Sequence, residues 1–149
     1  MTDSIQPQAH YSVFQPLVEL ANGKCFGYEA LLSCSSGASP ERLFQTARQS
    51  GRLYELDTTA MRGAVFAYFA EVSQAQHAPY LFLNVFPSTL LHPGFCALLE
   101  EMLAAHPACC QRIVLEINER GDRGRQDVGH SASRAKNSRL ARIRLFDRA

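Results

Sequence analysis

The sequence predicts an α/β fold whose sheet is mainly parallel and opens on an antiparallel hairpin. Three observations predict it. Dense apolar runs of strand length alternate with segments of helical periodicity. Asn22-Gly23 separates two runs rich in Val, Phe, Leu and Tyr, which is the signature of a hairpin turn. The later runs are continuous rather than alternating, as strands buried on both faces of a parallel sheet are.

The elements follow in order. Residues 12–19 and 24–32 read as the two hairpin strands, with Asn22-Gly23 supplying positive φ values at the turn. Ser39-Pro40 caps and starts a short helix that places Leu43, Phe44 and Ala47 on one side and stops at Gly51. A longer helix is predicted over 53–76, with Leu56, Ala60, Ala64, Ala67 and Tyr68 as its apolar stripe, and Pro79 fixes its end. YLFLNVF at 80–86 is a buried strand ended by Pro87. Another helix starts near Pro93 and buries Phe95, Leu98, Leu99, Met102 and Leu103, and RIVLEI at 112–117 is the last buried strand.

Composition bounds the function classes. The chain has 149 residues, one ordinary domain, with 46% hydrophobic and 19% charged residues, the balance of a globular protein. No run approaches the roughly 20 apolar residues of a membrane span, and the N-terminus MTDSIQPQAHYS lacks the pattern of a secretory signal, so a cytoplasmic protein with no membrane partner is expected. Five cysteines with no C-x-x-C pair, and five scattered histidines, fit neither a disulfide framework nor a zinc site.

The net charge of +1 conceals a split: residues 1–119 carry −5, whereas 120–149 carry eight Arg and one Lys against three Asp. The natural division is therefore 1–119 and a basic, irregular tail at 120–149. A basic tail can bind phosphate backbones, but this one has a single aromatic residue, Phe146, and no nucleic-acid partner is expected. An apolar patch at Leu140, Ile143, Leu145 and Phe146 is the tail's one candidate for local structure.

Three polar residues interrupt strands that should be dry: Glu29 in GYEALL, Asn84 in YLFLNVF and Glu116 in RIVLEI. An unpartnered buried carboxylate costs several kcal/mol, at least about 3 by mutational experience. Placed near the ends of successive strands, the three instead mark a site, since the carboxyl ends of parallel strands are where α/β proteins build them. Two carboxylates and an amide oxygen form a hard donor set suited to Mg²⁺, Mn²⁺ or Ca²⁺, and such ions most often serve phosphate chemistry. No G-x-S-x-G, H-E-x-x-H or glycine-rich phosphate loop competes with this reading.

These residues resemble the start of an EAL domain, the bacterial phosphodiesterase family that hydrolyses cyclic di-GMP. FQPLVELANGKCFGYEALL, with Glu-Ala-Leu at 29–31, is similar to the family's opening hairpin, and GRLYELD at 51–57, LFLNVFPSTL at 81–90 and VLEINE at 114–119 follow in family order. The resemblance implies a partial TIM-like (β/α) barrel with an antiparallel first strand, followed by an irregular basic tail. It implies that Glu29, Asn84 and Glu116 are metal ligands, that Glu119 supports them, and that Leu31 and position 33 meet the ligand. The implied cofactor is Mg²⁺ or Mn²⁺, and the implied reaction is attack of water on one phosphodiester bond to give pGpG.

The chain departs from the family pattern twice. Ser33 stands where the family has an arginine that contacts the ligand phosphate, a change worth tenfold or more in binding at about 1.5–3 kcal/mol. After VLEINE there is no Asp-Asp pair in a DDFG context, and Lys136 lies in no matching surroundings. The expected function is therefore a truncated or degenerate EAL-domain protein, inactive as this chain; the other readings are a minimal phosphodiesterase and a non-catalytic module that senses cyclic di-GMP or docks on a partner. An open sheet edge is expected to invite a protein partner or self-association.

Overall fold

In this computed structural model, residues 10–72, 78–107, 111–117 and the backbone of 142–144 are described. The chain begins with β1 (His10–Val18) and β2 (Cys25–Cys34), antiparallel and in register from His10/Cys34 to Leu17/Gly27, with a bulge at Leu17/Val18. The Glu19 amide donates to the Lys24 carbonyl at 2.9 Å, which leaves residues 20–23 as the loop, as the predicted strand ends imply. Gly23 takes the left-handed conformation (φ 69°) that closes it, where a side chain would be strained.

Helix α1 (Pro40–Gln49) starts as predicted, with the Ser39 hydroxyl accepting from the Arg42 amide, and ends before Gly51 at φ 70°. Helix α2 (Leu53–Val72) follows directly. Its buried stripe is Asp57, Thr58, Met61, Ala64, Val65, Tyr68 and Phe69, rotated by about one position from the predicted Leu56, Ala60 and Ala67, which are only half-buried. The apolar count alone misplaces the face because Asp57 and Thr58 lie on it. Strand β3 (Tyr80–Val85) leads into a single turn of helix, α3 (Pro87–Leu90), where the sequence reads only a proline stop. Helix α4 (Phe95–Ala105) buries Phe95, Leu98 and Met102 as predicted, and β4 (Ile113–Ile117) completes the parallel part.

The sheet order is β1-β2-β3-β4-β5, with β2/β3 and β3/β4 parallel and β5 (Arg142–Arg144) antiparallel on β4. The tail, expected to be irregular, holds this strand at its one candidate patch: Ile143 lies opposite Leu115, and β4 is paired along Val114–Glu116. The rest of 118–149, apart from 142–144, lies outside the described residues. The outer edge of β1 pairs with no strand among the described residues.

One face of the sheet carries the core. Leu81, Leu83 and Val85 of β3 and Ile113 and Leu115 of β4 pack against Met61, Val65, Tyr68 and Phe69 of α2 and Phe95, Leu98 and Met102 of α4. Because side chains alternate along a strand, the opposite face receives Phe82, Asn84, Val114 and Glu116. Phe82 and Val114 are themselves buried, so both strands are dry on both faces and their polar residues are displayed only near their carboxyl ends. Among the described residues no helix is long and apolar enough to cross a membrane.

Candidate metal and ligand site

Sheet register assembles the site. Asn84 of β3 is the direct partner of Glu116 on β4, and adjacent parallel strands lie ~4.8 Å apart with partner side chains on one face. Glu29 of β2 pairs with Phe82, two residues before Asn84, and so shares that face. The Asn84 Nδ2 donates to Glu29 Oε1 at 2.8 Å. This bond fixes the amide orientation, because its nitrogen must face the carboxylate, and it leaves Oδ1 as a remaining acceptor. Glu116 is buried, whereas Glu29 and Asn84 are half-buried.

All three polar residues of the sequence reading thus converge on one sheet face, and their donors are oxygens of the hard type that Mg²⁺ and Mn²⁺ prefer. The donor set fits such an ion. Among the described residues the set is two glutamates and an amide, and no group of three or more His, Cys, Asp or Glu is gathered there. Glu119 lies outside the described residues. Leu31 lies on the same face as Glu29, beside Val13 of β1, and Ser33 lies opposite Tyr11.

A cavity adjoins these residues. The β2/β3 pairing runs from Gly27/Tyr80 to Ala30/Leu83, and beyond it a space of about 890 Å³ lies between the strand ends and helices α1 and α2. Glu29, Leu31 and Asn84 line it, together with Phe44 and Arg48 of α1, Asp57 of α2 and Phe86. Its volume falls in the range of small-molecule sites, about 300–1,000 Å³. Glu116 and Ser33 do not line it, so the structure separates Ser33 from the cavity while joining Leu31 to it.

The strand end is pinned from below. Asp57 is only 3% exposed, and its Oδ2 accepts from the Phe86 amide at 3.1 Å, holding the β3–α3 corner two residues past Asn84. Burial pushes the Asp57 pKa up to about 6, opposed in part by Thr89 and the Phe86 amide. Desolvation outweighs both of these contacts, so the net shift is upward. Neither Asp57 nor Arg48 was legible as part of the site. A carboxylate at the helical spacing of Met61, Ala64 and Tyr68 was the available signal for Asp57.

The fold and site define a class: an α/β protein presenting a hard oxygen-donor set at the carboxyl ends of parallel strands. The EAL domain family profile matches residues 2–144, and the chain belongs to the EAL domain family. Solved structures share the fold. The PaMucR phosphodiesterase in complex with c-di-GMP superposes with a TM-score of 0.64 at 20% identity, over 74% of this chain and 47% of that one. The Xanthomonas citri FimX EAL domain in complex with c-diGMP gives 0.63 at 22%, over 75% and 44%. A Klebsiella pneumoniae BlrP1 manganese/cy-diGMP complex gives 0.60 at 26%, over 78% and 28%. The chain therefore spans less than half the length of each of these structures. No curated protein matches the sequence.

Proposed function

We propose that this chain builds the first half of the metal and ligand site of an EAL phosphodiesterase, as part of a TIM-like barrel, and does not hydrolyse cyclic di-GMP by itself. The observation that carries the reading is the convergence of Glu29, Asn84 and Glu116 through sheet register and the 2.8 Å amide–carboxylate bond. Glu29, Asn84 Oδ1 and Glu116 would hold Mg²⁺ or Mn²⁺, with Glu119 in support. When bound, a divalent ion supplies Lewis-acid stabilisation of charge on the phosphodiester. The protein's own part is to hold Glu29 in one orientation through Asn84 and to keep Glu116 in a dry environment.

Residues 120–149 contain no Asp-Asp pair and a single lysine in unrelated surroundings, so this chain brings no second acidic cluster to place a water. Removing members of a positioned constellation costs orders of magnitude in rate. A second reading, binding of cyclic di-GMP without turnover, is supported by the cavity of about 890 Å³ beside Glu29 and Asn84. The outer edge of β1, which pairs with no strand among the described residues and has Tyr11, Val13 and Leu31 exposed on one face, supports self-association or a protein partner.

The test is incubation of the purified chain with cyclic di-GMP and Mn²⁺, followed by chromatographic detection of pGpG. No pGpG above the protein-free control is expected. Product that disappears in Glu29→Ala would show that the chain is an active enzyme and overturn the proposal.

A further inference from the structure

The cavity beside Glu29 and Asn84 has an electrostatic problem if its ligand is an anion. Three carboxylates line it, those of Glu29, Glu41 and Asp57, and among the described residues Arg48 is the only cation that does. Ser33, at the position where the family arginine would stand, does not line it at all. A phosphodiester entering this space meets repulsion from every ionised group except Arg48.

The geometry around Arg48 suits an anion contact. The guanidinium carbon lies 5.5 Å from the centroid of the Phe86 ring. Phe44, one helical turn earlier, meets the same ring edge-on at 5.0 Å. The pair at i and i+4 on α1 thus clasps Phe86, whose backbone amide is itself fixed by Asp57. Arg48 belongs to neither of the ion pairs found among the described residues, Arg52–Glu55 and Arg62–Glu101. Stacking on a ring occupies the face of a guanidinium and leaves its in-plane N–H groups for an acceptor, which is how arginine recognises phosphate. The side chain is exposed, so these donors are reachable at the cavity mouth.

We propose that Arg48 is the ligand-phosphate contact of this chain, taking from helix α1 the role that no arginine at position 33 can fill. The inference rests on the reading of the cavity as a cyclic di-GMP site. A charge-assisted contact of this kind corresponds to about 10–100-fold in affinity. The residue's place in the last turn of α1 also lets its charge favour the helix terminus, and the test must separate the two roles.

The experiment measures cyclic di-GMP binding by calorimetry in the presence of Mn²⁺ for the wild type, Arg48→Gln, Arg48→Lys and Ser33→Arg, with thermal midpoints taken in parallel. The expected result is measurable wild-type binding, weakened at least tenfold in Arg48→Gln and by less in Arg48→Lys, which keeps the terminal charge but loses the planar fork. Equal affinity in wild type and Arg48→Gln overturns the assignment and leaves the cavity reading intact. Absence of wild-type binding with binding created by Ser33→Arg also overturns it, because position 33 is then the required one. Absence of binding in both wild type and Ser33→Arg overturns the assignment together with the cavity reading.

Discussion

Asp57→Asn should stabilise the protein at neutral pH, because it removes a buried charge while keeping an oxygen for the Phe86 amide. The carboxyl group has an ordinary value of 3.8 and is pushed up to about 6 by burial. Below 3.8 both folded and unfolded chains hold the proton and stability is at its full value. Between 3.8 and about 6 the unfolded chain ionises first, so stability falls as pH rises. Above about 6 both states are ionised and the deficit is constant. Two pK units correspond to about 3 kcal/mol, an order-of-magnitude figure. The asparagine oxygen can still accept from the Phe86 amide, now 3.1 Å from Asp57 Oδ2, without carrying charge into the core. Urea denaturation from pH 4 to 7.5 on both proteins checks this, since all other titrating groups cancel in the difference. The variant should gain on wild type steadily across pH 4–6 and hold its advantage above. Parallel curves would refute the claim that desolvation, rather than the hydrogen bonds, governs this carboxylate.

Two other changes probe the frame of the site. Gly27→Ala should lower stability by about 1–3 kcal/mol, measured as a drop in thermal midpoint. A Cβ there would lie 2.6 Å from the Phe82 ring and 2.9 Å from the Tyr80 carbonyl oxygen. Asn84→Asp should destabilise the metal-free chain by roughly 1–3 kcal/mol, since it replaces the donor facing Glu29 with a second negative charge. Thermal midpoints with and without Mn²⁺ should then show a larger metal-dependent rise for Asn84→Asp than for wild type.

Element order and the site's polar triad were legible because each rests on a local signal. Ser39-Pro40 and Gly51 bracket α1, the continuous apolar runs mark β3 and β4, and a carboxylate or amide in such a run is costly enough to imply a purpose. What was not legible depends on tertiary contacts. The rotation of the α2 stripe follows from Asp57 being drawn inward by an amide 29 positions later in the chain. Pairing of Arg142–Arg144 with β4 joins segments too far apart for periodicity to connect. Arg48 reads in sequence as one more surface cation, and only the Phe86 ring gives it a place.

The central claim is that Glu29, Asn84 and Glu116 form one divalent-metal site on adjacent strands. Titration of Mn²⁺ followed by the loss of its free-ion electron paramagnetic resonance signal tests it directly, on wild type, Glu29→Gln, Asn84→Ala and Glu116→Gln. The account predicts saturable binding of Mn²⁺ by wild type, weakened at least tenfold in each variant, with circular dichroism showing that each remains folded. Absence of saturable wild-type binding, or unaltered binding in a folded Glu116→Gln, would contradict it.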